Sequence, residues 1–146
     1  MSLDEWLKNS WVVRHQTSPQ EIANLLALSD RDIHDCRAEG LSPDWKMNIA
    51  YNAALQAATA ALAANGYRVS RDSHHFRIIQ SLRWTINPDE SIIIQFELFR
   101  KKRNIVGYEQ AGTVSRQEAE EMLILAKEIR DQVTWWIKAN HKDLMK

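Results

Sequence analysis

The chain has 146 residues, 45% hydrophobic and 26% charged, with 19 basic and 19 acidic side chains and a formal net charge of zero. This length and mix suit one domain, residues 1–146, that buries a core without disulfide or metal staples. Zero net charge excludes a global field that would recruit nucleic acid or an anionic membrane, so any such contact has to come from a local patch.

The opening Met-Ser-Leu-Asp-Glu-Trp carries acids and no apolar run of signal or spanning length. A short helix is expected near Trp6. Ser18-Pro19-Gln20-Glu21 reads as a helix start, with Ser18 as N-cap and Glu21 closing a capping box. Ile22, Leu25, Leu26 and Ile33 follow at helical spacing towards a stop at Gly40, with Ser29-Asp30 as a potential break. Ser42-Pro43-Asp44 starts the longest expected helix, Pro43 to Asn65, with Gly66 at its end. Nine alanines lie between Ala50 and Ala64, so this helix is expected at the centre, where small side chains let neighbours approach closely.

Tyr67 to Asp72 reads as a polar connection, and Ser73 to Ile86 as a third helix ended by Asn87-Pro88-Asp89. Glu90 to Asn104 is ambiguous. Ile92, Ile94, Phe96 and Leu98 alternate as in a strand, while Ile92, Ile93, Phe96 and Phe99 make a helix face. Length and helical surroundings favour the helix. Gly107 to Thr113 looks like a loop. Ser115-Arg116-Gln117-Glu118 is a further capping box, opening a last helix striped by Ala119, Met122, Leu123, Ala126, Ile129, Val133 and Ile137. Lys138, His141 and Lys142 suit its negative end. The expected fold is all-α, an antiparallel up-and-down bundle of about five main helices. The tryptophans Trp6, Trp11, Trp45, Trp84, Trp135 and Trp136 are expected as core and interface anchors.

Standard sites are missing from the sequence. Four glycines form no phosphate loop, and no Gly-x-Ser-x-Gly elbow exists. The single cysteine, Cys36, allows no internal disulfide and no thiol pair, which fits a reducing cytoplasm. Flanked by His34, Asp35 and Arg37, it is expected to be structural. His15, His34, His74, His75 and His141 have no zinc spacing, and no metal or cofactor is expected. His74 and His75 follow the loop after the central helix, and point in different directions if helical.

One stretch concentrates charge: Arg100-Lys101-Lys102-Arg103-Asn104-Ile105-Val106-Gly107-Tyr108. Arg103 offers phosphate a bidentate fork and Asn104 an amide donor. Tyr108, five residues on, supplies a hydroxyl near the same face. A solvated helix end is the plain alternative.

The order of features resembles the HEPN family over roughly Trp45 to Val133. The resemblance rests on Ala50-Tyr51-Asn52-Ala53-Ala54-Leu55-Gln56-Ala57 through Ala64-Asn65-Gly66-Tyr67, then His74-His75. It continues in Arg103-Asn104-Ile105-Val106-Gly107-Tyr108-Glu109 and Ser115-Arg116-Gln117-Glu118-Ala119-Glu120-Glu121. The resemblance implies a helical bundle that homodimerises, with two arginine motifs facing across a cleft. It also implies a metal-independent ribonuclease, or a nucleotide- or RNA-binding partner of a nucleotidyltransferase, in a toxin–antitoxin or defence system. Carried over, Arg103 matches the motif arginine and Asn104 its polar residue, while Tyr108 stands where active members have histidine. Tyrosine, with a pKa near 10 against about 6.5, is a poor base at neutral pH. The expectation is therefore phosphate binding by Arg100, Arg103, Asn104 and Tyr108, with His74 or His75 as accessory groups and weak or no catalysis. A ribonuclease using one of those histidines, and a purely structural interaction domain, are the alternatives.

Overall fold

Serine hydroxyls start four of the helices. Ser2, Ser18, Ser42 and Ser115 each accept a hydrogen bond from the amide three residues on, satisfying a donor that has no partner within the helix. The computed structural model describes residues 1–108 and 113–145, and of residues 105–108 the backbone only. The described elements run α1 (Leu3–Lys8), β1 (Val12–Arg14), α2 (Pro19–Asp35), α3 (Pro43–Ala64), β2 (Tyr67–Val69), α4 (His74–Ser81), a 3-10 turn (Leu82–Trp84), α5 (Glu90–Tyr108), α6 (Arg116–Asn140) and a closing 3-10 turn (Lys142–Met145). The class is all-α, as expected. No described helix is long and apolar enough to cross a membrane.

α3 is the axis of the molecule. Its alanines from Ala50 to Ala61 are all fully buried, and it packs against α2, α4, α5 and α6. A helix this rich in buried apolar residues, with the side of Asn48, Asn52, Gln56 and Thr59 reaching solvent, belongs at the centre of the bundle. Paired residues fix the directions. Ser29 Oγ donates to the Ala53 carbonyl and Cys36 Sγ lies against the Lys46 carbonyl, so α2 runs antiparallel to α3. Arg103 meets Asn48 and Phe96 meets Tyr51, so α5 is antiparallel too. Lys46 meets Glu120 at one end of α3 and Asn65 meets His141 at the other, so α6 runs parallel to it. α4 is also parallel to α3, with Tyr51 beside His75 and Asn65 bonded to the Trp84 carbonyl. The strict up-and-down order is thus interrupted between α3 and α4, where β2 provides the return leg.

That strand occupies part of the expected polar connection. Val12, Val13 and Arg14 pair antiparallel with Val69, Arg68 and Tyr67. Tyr67 and Val69 are buried and Arg68 is exposed, an alternation too short to stand out in the sequence. The Tyr67 hydroxyl donates to Asp4 at 3.0 Å, tying α1 to the sheet. Trp6 is buried edge-on against Trp11 and Trp84, whereas Trp45 and Trp135 are 55% and 71% exposed.

Several boundaries differ from expectation for physical reasons. α2 runs unbroken through Ser29-Asp30, because the Ser29 hydroxyl is satisfied by α3 and Asp30 pairs with Arg130 of α6. It ends at Asp35, before Gly40. At its start Glu21 turns away from the cap, and its carboxylate binds Thr17 and His15; both halves of a capping box form at Ser115 and Glu118. The third helix gives way to the 3-10 turn after Ser81, whose hydroxyl bonds the Ile78 carbonyl. Glu90 onwards is helical, and the helix continues to Tyr108, into the segment expected as a loop. The remainder of that loop, residues 109–112, lies outside the described residues.

Close packing about α3 sets a stability prediction. Ala57→Leu adds three carbons to a fully buried position and is expected to destabilise by about 1–3 kcal/mol. Urea denaturation followed by far-ultraviolet circular dichroism measures it.

Candidate anion-binding cleft

The candidate cleft is a side-chain cluster where α3, α4 and α5 meet. On α5, Phe96, Arg100 and Arg103 recur at helical spacing, so the stripe that buries Phe96 turns cationic one turn later. On α3, Asn48 and Tyr51 are one turn apart. The Arg103 Nε donates to Asn48 Oδ1 at 2.7 Å, and its guanidinium carbon lies 5.2 Å from the centre of the Tyr51 ring, within cation–π range. Tyr51 is fully buried, with its ring edge-on to Phe96 at 5.5 Å. Its hydroxyl lies 3.2 Å from Nδ1 of His75, on the first turn of α4. The His74 ring is 5.7 Å from that of His75.

Arg100 is held differently. Its Nε and NH2 grip both oxygens of Glu97 one turn earlier, at 3.0 Å and 3.1 Å from Nε, and its guanidinium lies 5.6 Å from the Phe76 ring centre. The ion pair holds the Arg100 pKa above its ordinary value. Lys102 is bonded to Glu118 of α6, and Lys101 is exposed. The four consecutive cations therefore form no single patch. Two are matched by carboxylates, one faces solvent, and Arg103 is held, among the described residues, by a neutral amide and an aromatic face.

These surroundings act on the titratable groups. Burial pushes the Tyr51 hydroxyl up to about 12, with the charges of Arg103 and Arg100 opposing that rise, so it keeps its proton at neutral pH. Burial holds His75 below its ordinary value, and the positive charges of Arg103, His74 and Arg100 push the same way. His75 is thus neutral at pH 7. Cys36 lies apart. It is buried, its pKa is pushed up to about 11 mainly by burial, and its Sγ sits 3.6 Å from the Lys46 carbonyl, which makes it a structural thiol.

Known proteins supply no template. No family model, no curated protein and no solved structure matches this chain. The site is therefore judged on its own geometry. Of the residues singled out in the sequence, Arg100, Arg103 and His75 converge, whereas exposed His74 adjoins His75 but lines a separate cavity with His15, Glu21 and Tyr67. Asn104 is exposed and, one residue on from Arg103, points about 100° away around the helix. Tyr108 ends α5, and its side chain lies outside the described residues. The sequence reading missed Asn48, Tyr51 and Glu97. One signal was present: Tyr51 is the one aromatic residue between Ala50 and Ala64, a bulky side chain in a helix chosen for smallness. Among the described residues no cluster of three His, Cys, Asp or Glu side chains is placed to hold a metal.

His75 gives a pH prediction with a definite sign. Its folded-state pKa is below the ~6.5 of an unfolded chain, so protonation favours unfolding. Its stabilisation is complete above about pH 6.5 and is lost as pH falls through the folded value. His141, also lowered by burial, adds in the same direction. The urea midpoint is expected to drop as pH falls from about 6.5 to about 5, and His75→Gln to remove part of that drop.

Proposed function

We propose that this chain binds a phosphate-bearing ligand, RNA or a nucleotide, at the cleft around Arg103. The observation that carries this reading is the state of Arg103. Among the described residues, its guanidinium is oriented by Asn48 and Tyr51 rather than paired with a carboxylate. A planar cation fixed in direction by a neutral amide keeps its charge available for an incoming anion. His75, which feels its charge, extends the donor set.

The HEPN resemblance supports the same reading and adds its setting: a cytoplasmic homodimer working with a nucleotidyltransferase partner in a toxin–antitoxin or defence system. Exposed Ile94 and Leu98 on α5 and Trp135 on α6 supply apolar surface for self-association, which light scattering at micromolar concentration reads directly; a monomer would remove that part. Asn104 and Tyr108 belong to the reading through the resemblance alone.

A second reading, metal-independent ribonuclease activity, is favoured by His75. A neutral imidazole near a fixed arginine is a competent general base for a ribose hydroxyl, which offsets the tyrosine at position 108.

One set of proteins tests both. Arg103→Ala is expected to weaken RNA and nucleotide binding at least tenfold in a filter assay, and equal, negligible retention by wild type and variant would refute the binding function. The same preparations, incubated with labelled RNA and a chelator, report cleavage. Cleavage lost in both Arg103→Ala and His75→Ala supports the ribonuclease reading, and uncut RNA with wild type ends it.

A further inference from the structure

We propose that the cleft takes up a proton together with its anion, the proton being carried by His75 and the ring being positioned by Tyr51. This deepens, and rests on, the reading of the Arg103 cleft as an anion site.

The geometry begins with the buried hydroxyl of Tyr51, 3.2 Å from Nδ1 of His75. The two nitrogens of an imidazole lie on opposite sides of the ring, and a bond to one sets the direction of the other. With Nδ1 turned inward to a fully buried phenol, Nε2 is turned outward from the half-buried ring. A phenol is both donor and acceptor. It donates to Nδ1 when the ring is neutral, and accepts from Nδ1–H when the ring is charged. The contact therefore survives protonation with its direction reversed. Tyr51 keeps its own proton throughout, since burial raises its pKa to about 12. The charge has to settle on the histidine.

The groups facing His75 are few. Tyr51 comes from α3, with neutral Asn48 one turn before it. His74 is its neighbour on α4. Arg103 and Arg100 come from α5, the latter clasped by Glu97. Burial and the neighbouring cations oppose a charge on the ring. An anion between Arg103 and Nε2 supplies an opposite charge and a hydrogen-bond acceptor, and both favour the protonated ring. By linkage, a site that takes up a proton on binding binds more tightly as pH falls. The released form is then favoured at higher pH without any change in the ligand.

The test needs a ligand whose own charge stays constant. A short single-stranded oligouridylate without terminal phosphates qualifies, because its phosphodiesters remain ionised across the range. Fluorescence anisotropy at fixed ionic strength is expected to show binding about tenfold tighter at about pH 5.5 than at about pH 8, the span over which a histidine titrates. His75→Gln is expected to flatten that dependence to within about twofold. Tyr51→Phe keeps the ring and its packing, and is expected to leave an intermediate slope. Nuclear magnetic resonance of the labelled His75 ring is expected to show its titration midpoint moving upward when the oligonucleotide saturates the site. Binding that is independent of pH, or a His75 midpoint unmoved by saturation, overturns the proton coupling and leaves anion binding standing. A slope abolished by His74→Gln and retained in His75→Gln overturns the assignment to His75. No binding at any pH overturns the coupling and the cleft reading together.

Discussion

Everything in this molecule is arranged about the close approach that alanine permits. α3 packs against four helices, and from Ala50 to Ala64 the side it buries is mostly methyl groups, which lets those helices come close. The same economy creates the cleft. Where α3 departs from small residues, at Asn48 and Tyr51, a large side chain has to reach into the space between α4 and α5. Tyr51 fills that space and Asn48 meets what α5 places there. The cationic end of α5 is thus received by two residues that interrupt the pattern of their own helix.

The electrostatics follow from how a neutral chain distributes its charges. Glu97 and Glu118 take up Arg100 and Lys102, each through a neighbour on the same or the adjacent helix. Such partly exposed pairs contribute little to stability. Their larger effect here is to leave Arg103, beside solvent-facing Lys101, as the half-buried cation of the run with no described carboxylate partner. Arg103 keeps its charge at a position where burial and an aromatic face limit the water around it, so its field is felt by His75. A run that looks like a polycation in one dimension becomes, around a helix, a single directed guanidinium flanked by satisfied neighbours.

Much of the fold was legible because it is written locally. Serine caps, proline at first turns and the period of apolar residues in α6 are short-range signals, and they placed the starts of α2, α3 and α6 correctly. The failures are long-range. Ser29-Asp30 looks like a break until Ala53 and Arg130, far along the chain, are brought to satisfy it. The sheet is invisible because each strand has three residues, and neither is stable without the other. Glu90 to Asn104 carried both periodicities, and only packing against α3 and α4 decides between them. The site divides in the same way. Arg103 and the histidines announce themselves by residue type. Asn48 and Glu97 do not, since an asparagine and a glutamate on helices are ordinary until the partner they orient is known.

The return strand gives the amino-terminal segment a role at a distance. β2 carries the chain back along α3 so that α4 begins beside Tyr51, and β2 is held by pairing with β1 across more than fifty intervening residues. Closing a loop of that length is entropically costly until α2 and α3 have already brought its ends together. The pairing is of high sequence separation and leans on the α2–α3 hairpin for the proximity of its ends. Among the described residues, the main contacts of Val12 to Arg14 run to β2 and α1. They act as a clasp on the return leg that sets the histidine beside its tyrosine.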